Sequence, residues 1–220
     1  EDGELLDSEA LEINKLASFS VVQSLFTLNQ FKRKKIVLSN PSIIYNSVDE
    51  NIFKPPKNIK PPSNKLKIIS GSWSINKQKG MDDYLWLDNN LSELYENKFV
   101  GRLDFKPKNI KLIPPKNQKD LSDFLRNSDL FIFCAQNESC PNILLEAMSS
   151  GLPIIYNNSG ASPELLNGCG LPYNKVEEIP SLIIKVKENY GYFKQLILNY
   201  KIPSAGDKYK NLIETLIKSK

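Results

Sequence analysis

The stretch Glu138–Glu164, ESCPNILLEAMSSGLPIIYNNSGASPE, decides how the rest of the chain reads. Pro141 suits the first position of a helix, where its missing N–H is not needed, while the N–H groups of Asn142 and Ile143 stay outside the helical ladder. Ile143, Leu144, Ala147 and Met148 fall on one apolar face, and Glu146 lies beside Ile143 at its edge. Gly151 fits a left-handed helix stop, and Pro153 bars continuation before a buried strand at Ile154–Tyr156. A helix N-terminus set over the end of a parallel strand is an anion site. Glu138 and Glu146 bracket that helix start. Two acids there suit the acceptance of hydroxyl hydrogen bonds while backbone N–H groups take phosphate oxygens.

Outward from this segment the chain reads as α/β. Ser8–Ala17 has helical spacing, Phe19–Gln23 reads as a short buried strand, and Ser24 is placed to cap a helix running to Lys32. Ile43–Asn46 reads as another strand, and Pro55–Pro62, with four prolines among lysines, as an extended linker. Further strands are expected at Leu66–Ser70, Lys98–Val100, Ile110–Ile113 and Leu130–Cys134. Helices are expected at Met81–Asn90, Leu121–Asn127, Asn142–Ser150, Ile179–Glu188 and Lys208–Lys218, with a helical turn near Glu164. This alternation predicts a parallel sheet with right-handed crossovers and helices on both faces.

Composition bounds the function more loosely. A chain of 220 residues that is 40% hydrophobic can bury one substantial core, or one core and part of another. The net charge of +4 is small, and the one dense basic run, Lys32–Lys35, has no interleaved aromatics, so no nucleic-acid partner is expected. Cys134, Cys140 and Cys169 lack metal-ligand spacing, and their odd number argues against a disulfide framework. With no His and no Asp-x-Asp pair, no metal site is expected. No signal peptide and no apolar run long enough to span a bilayer is evident, which makes a cytoplasmic location the expectation. The absence of an initiator Met and the helix-like opening read as a fragment.

Glu138, Pro141, Glu146, Ala147, Met148, Gly151 and Pro153 together resemble the E-x7-E motif of retaining, nucleotide-sugar-dependent glycosyltransferases of the two-domain GT-B architecture. The family resembled is glycosyltransferase family 4, or group 1. Ile44–Asp49 with Phe53 and Pro55 resembles its interdomain stretch, and Lys79–Gly80 resembles the K-G after the first strand of the C-terminal domain. Phe99–Gly101 resembles that domain's second strand, and Ser159–Gly160 with Glu164 its G-x-x-E element. The resemblance implies that residues 1–62 are the end of an N-terminal domain and the linker. Residues 63–220 would then be a Rossmann-like nucleotide-sugar-binding domain.

The same resemblance implies roles. Glu146, which alone would pass for an ordinary helical glutamate, would accept hydrogen bonds from the ribose hydroxyls of the donor. Glu138 would lie near the transferred sugar and face positive charge developing at the anomeric carbon; alone, it reads as an acid favoured by the helix dipole. Backbone groups at Cys140, Asn142 and Ile143 would take sugar or phosphate oxygens, and Lys79 would neutralise the diphosphate. The usual Arg after the first strand is replaced here by Gly71–Ser72–Trp73–Ser74, which leaves Lys77 to supply a second charge. Ser72–Gly80 is similar to an S-W-S-x-N-x-x-K-G subset of the family. Trp73 and Trp86 read as packing residues, and Pro114–Pro115 as shaping the backbone that meets the nucleobase.

The implied reaction moves a hexose from a nucleotide-diphosphate sugar to a sugar or lipid-linked acceptor with retention, without a cofactor, in polysaccharide or glycoconjugate synthesis. A lipid-linked acceptor would bring peripheral membrane contact. The chain alone is expected to lack turnover, because acceptor sites belong mostly to the other domain. A non-catalytic nucleotide-sugar-binding or interaction module derived from the fold is the alternative. An epimerase or phosphorylase of the same architecture is disfavoured, since no His and no cofactor-lysine motif is present.

Overall fold

A computed structural model describes residues 11–58, 60–91, 94–201 and 204–218. A helical stretch over residues 11–16 precedes β1 (Ser20–Val22), α1 (Leu25–Arg33) and β2 (Pro41–Ile43). Then come β3 (Leu66–Ser72), α2 (Met81–Asn90), β4 (Tyr95–Gly101), β5 (Lys111–Ile113) and α3 (Gln118–Arg126). β6 (Leu130–Phe133), α4 (Asn142–Ser149), β7 (Ile154–Asn157), α5 (Ser162–Leu166) and β8 (Leu171–Tyr173) follow. The chain closes with α6 (Ile179–Glu188), α7 (Tyr190–Asn199) and α8 (Ala205–Lys218). These elements group into two units, Glu1–Ser47 with Pro203–Lys220, and Val48–Ile202. The change of unit thus falls at Val48, and the Pro-rich stretch lies inside the second unit.

In the first unit β1 and β2 pair in parallel, Ser20 opposite Pro41 and Val22 opposite Ile43. Ser24 caps α1 as expected: its hydroxyl accepts the N–H of Thr27 at 3.1 Å. The strand expected at Ile43–Asn46 is earlier, because its partner β1 ends where Ser24 turns the chain into α1. Of the apolar residues here, Val22 is buried and Leu25 is exposed, with Phe19, Val21 and Phe26 half-buried. The expected helix at Ser8–Ala17 is seen over residues 11–16, and its first three positions lie outside the described residues.

The second unit is built on a six-stranded sheet in the order β5-β4-β3-β6-β7-β8, all neighbours parallel. Renumbered within the sheet this is 3-2-1-4-5-6, the Rossmann order. Central strands of such a sheet are covered on both faces and need no polar side. Accordingly Leu130, Phe131, Ile132 and Phe133 of β6 are all buried. On one face Leu66, Ile68, Phe99, Leu130 and Ile132 join Met81, Tyr84 and Leu87 of α2 and Ile179, Ile183 and Val186 of α6 in one core cluster. Tyr84 meets Phe99 edge to face at 4.9 Å, and its hydroxyl accepts the N–H of Cys134 at 3.2 Å. Tyr173 of β8 donates to Asp83 at 2.6 Å, so two adjacent residues of α2 are tied to β8 and to the end of β6.

Two elements lie outside the sequence expectation. β8 contains Pro172, which reads as a strand breaker but is tolerated on an edge strand, where the ladder needs no second partner. α7 follows α6 after one residue, and Gly191 in its first turn hides it.

Candidate functional site

The strand order reverses between β3 and β6, so the crossovers on either side leave in opposite directions and open a crevice at the strands' C-terminal ends. A cavity of about 440 Å³ lies there, lined by Gly71 and Ser72 from the end of β3, Phe133 and Ala135 around the end of β6, and the start of α4. This is within the size range of small-molecule sites.

The loop after β3 is held by its own short side chains. The Ser72 hydroxyl donates to the carbonyl of Ser74 at 2.7 Å, and Asn76 accepts the N–H of Gln78 at 3.0 Å, capping a 3-10 turn at Lys77–Lys79. Gly80 ends that turn at φ 81°, and a Cβ there would lie 2.3 Å from the carbonyl oxygen of Cys134. Only glycine allows both the left-handed backbone and this approach to β6. The result is that Lys79 projects into the cavity and meets Glu138, whose Oε1 accepts from Nζ at 2.5 Å. Glu138 is fixed from the other side by Gly160: the Ala161 N–H donates to the Glu138 carbonyl at 2.9 Å, and a Cβ on Gly160 would come 2.6 Å from the Glu138 nitrogen.

α4 begins at the cavity. Pro141 serves as N-cap with no side-chain cap bond, so the positive end of the helix faces the space that Pro141, Asn142 and Ile143 line. Pro141 thus sits one position earlier than expected, and Gly151 adopts the expected left-handed conformation at φ 73°. Glu146, on the next turn, is 9% exposed and lines the same cavity. Among the described residues its carboxylate has no hydrogen-bond or ion-pair partner. Burial pushes its carboxyl up to about 7.

Of the residues singled out from the sequence, Ser72, Lys79, Glu138, Cys140, Asn142, Ile143 and Glu146 all line this cavity. Lys77 does not: its side chain is 84% exposed and stands 4.0 Å from Asp82. Ser72 has its hydroxyl committed to the loop it belongs to. Trp86 packs on the core as expected, whereas Trp73 is 45% exposed and lines the cavity. It sits on the loop that borders the crevice, a placement its residue type alone does not reveal. Sequence reasoning passed over Lys116 and Gln118, which the cavity also includes. The signal lay next to them, in Pro114–Pro115 after β5 and the Asn117 cap of α3. Among the described residues no group of three or more His, Cys, Asp or Glu side chains could hold a metal ion, and no helix is long and apolar enough to cross a membrane. The three cysteines are buried and unbridged.

Fold and cavity together define a Rossmann-like α/β unit with an anion-compatible crevice at its switch point. Residues 104–200 match the protein family described as Glycosyl transferases group 1. No curated protein sequence matches the chain. Among solved structures it is similar to sucrose-phosphate synthase of Thermosynechococcus elongatus at 12% identity and TM-score 0.76, covering 96% of this chain and 61% of that one. It is also similar to HepE of Anabaena in complex with UDP and glucose, at 16% identity and TM-score 0.77, covering 94% of this chain and 66% of that one. A third is the C-terminal domain of the group 1 glycosyl transferase LpcC of Francisella tularensis, at 18% identity and TM-score 0.54, covering 70% of this chain and 94% of that one. The fold is therefore the Rossmann-like fold of GT-B glycosyltransferases, and the chain spans less than two thirds of the first two solved chains.

Proposed function

We propose that the cavity at the switch point is the donor site of a retaining hexosyltransferase, and that it takes a nucleotide-diphosphate sugar. The observation that carries this is Glu146, a buried carboxylate without a protein partner, facing the same space as the Lys79–Glu138 pair and the start of α4. A buried acid left without donors is costly, and vicinal ribose hydroxyls would supply two. The α4 N-terminus and Lys79 would hold the diphosphate and stabilise the charge that grows on it as the sugar bond breaks. Lys79 is already shared with Glu138, and the Ser72–Ser74 loop is neutral, so Lys116 is assigned the second positive charge that the resemblance gives to an Arg. Glu138 would lie against the transferred sugar, where its carboxylate favours positive character at the anomeric carbon.

Retention is carried over from the resemblance, as is the division at residues 62/63 into the end of an acceptor-side domain and a donor-binding domain. The likeness to an isolated C-terminal glycosyl transferase domain, over 70% of this chain, supports a separate donor-binding domain, while the change of compact unit falls earlier, at Val48. An acceptor glycan or glycolipid and a cytoplasmic setting belong to the same proposal. The bound UDP of HepE favours a uridine nucleotide as the first donor to try. A second reading, a nucleotide-sugar-binding module without catalysis, is favoured by the neutral Ser72–Ser74 loop.

The test is a transfer assay with labelled sugar nucleotides on the whole protein to which this chain belongs. Glu138→Gln and Lys79→Ala are each expected to lower kcat by ~10²-fold or more. Full activity in both would overturn the site, and saturable donor binding without turnover would establish the second reading.

A further inference from the structure

The opposite end of the sheet from the donor cavity carries a smaller one of about 210 Å³, at the N-terminal ends of β3 and β6. Lys67 at the start of β3, Arg126 at the end of α3, Lys194 of α7 and Lys60 from the Pro-rich stretch all line it, against one carboxylate, Asp129. That carboxylate is occupied: its Oδ2 accepts the N–H of Lys67 at 2.8 Å and of Ser63 at 3.3 Å, tying the Pro-rich stretch to the sheet. Arg126 donates to the carbonyl of Ile52 at 3.3 Å and pairs with Asp123 on its own helix.

Lys194 is the unusual member. It is 5% exposed, yet among the described residues its ammonium has no hydrogen bond or ion pair. Burial draws its pKa down, while the charge of Asp129 partly opposes this without direct contact. A helix position so deeply covered would ordinarily be apolar, since a desolvated ammonium with no counter-ion in direct contact is costly. The cost falls if an anion enters from the cavity. At about 30 Å³ per water the space holds about seven waters, enough for a tetrahedral oxyanion and part of its carrier.

We propose that this cavity is a second, anion-binding site, in which Lys194, Lys67 and Arg126 hold a phosphate group, either free or as a phosphomonoester. Basic residues from a strand and two helices line it, Arg126 while also paired with Asp123, and donors from several sides suit the several acceptor directions of a phosphate. The proposal stands on this end of the sheet alone and does not rest on the glycosyl-transfer reading.

The experiment is an NMR titration of the chain with inorganic phosphate and, in a parallel arm, with glycerol phosphate, at ionic strength held constant with chloride. The amides of Lys67, Asp129 and Lys194 are expected to shift saturably, in the unaltered chain and equally in Lys79→Ala, which disables the donor cavity. The arm that saturates at lower concentration identifies free phosphate or ester as the preferred form. Lys194→Met, which keeps the stem, should weaken the response at least about tenfold, the loss of one charged hydrogen bond. It should also leave the anion-free protein no less stable, which a purely structural lysine would not. Shifts confined to the Glu138–Glu146 segment, no saturation beyond the chloride control, or unchanged affinity in Lys194→Met would overturn the site. Should that variant not fold, the amide map of the unaltered chain decides by itself.

Discussion

Glu146→Gln keeps the shape of the side chain and removes its charge, which isolates the electrostatic state of the cavity. In the folded protein burial holds the Glu146 carboxyl at about 7, against 4.5 for the same group in water. The folded state therefore keeps a proton that the unfolded chain has released between those values. The stability this gives is fully present below about pH 4.5 and is lost as pH rises through about 7. At roughly 1.4 kcal/mol per pH unit the gap bounds the loss at about 3.5 kcal/mol. Because the cavity is open on one side, about 1–3 kcal/mol is the expected range. Glutamine has no such loss, so over the range tested the two proteins should differ least at pH 5. At pH 8 the variant should be the more stable, by roughly 2–4 °C in Tm for each kcal/mol. The assay is paired thermal and urea denaturation from pH 5 to 8.5. A gap that does not change over this range would refute the idea that Glu146 is an isolated buried acid.

Asp88 is 1% exposed and accepts the N–H groups of Lys108, Asn109 and Ile110 at 2.7–2.8 Å, fixing the loop between β4 and β5. Asp88→Ala should cost about 3 kcal/mol in urea denaturation, because three backbone donors, that of Ile110 buried, lose their acceptor. Gly80→Ala puts a Cβ against the Cys134 carbonyl and should destabilise by ~1–3 kcal/mol while displacing Lys79, so nucleotide affinity falls along with stability. Lys116→Ala should weaken nucleoside diphosphate binding about tenfold and leave nucleoside binding unchanged, as calorimetry with both ligands would reveal.

Most of the second unit was legible because its signals are local. The Gly151–Pro153 stop and the apolar run of β6 each specify one element through backbone sterics or burial, and α2 and α6 fall where periodicity puts them. The cavity was legible in the Glu138–Glu146 segment for the same reason: a proline start and two acids define a helix N-terminus with acceptors beside it. What escaped depends on tertiary context. Lys116 belongs to the site only because β5 lies two strands from the sheet centre and its following loop leads into α3. Lys77 and Lys79 have the same residue type two positions apart, and only the geometry of the 3-10 turn sends one into the cavity and the other into solvent. Lys194 has no signal in sequence at all, since its burial is set by the fold around α7.

The central claim is that the switch-point cavity binds the nucleoside diphosphate of a sugar donor, with Glu146 as the ribose acceptor. It is tested most directly by titrating the chain with UDP, GDP and ADP at pH 8, where Glu146 is ionised, and repeating the titration with Glu146→Ala. At least one nucleotide should bind saturably in the ~0.1–1 mM range, shifting the amides of Lys79 and Asn142–Glu146. The variant should bind it roughly tenfold more weakly, the loss of about 1.4 kcal/mol of ribose hydrogen bonding. No saturable binding of any of the three by a folded chain, or equal affinity in the variant, would contradict the account.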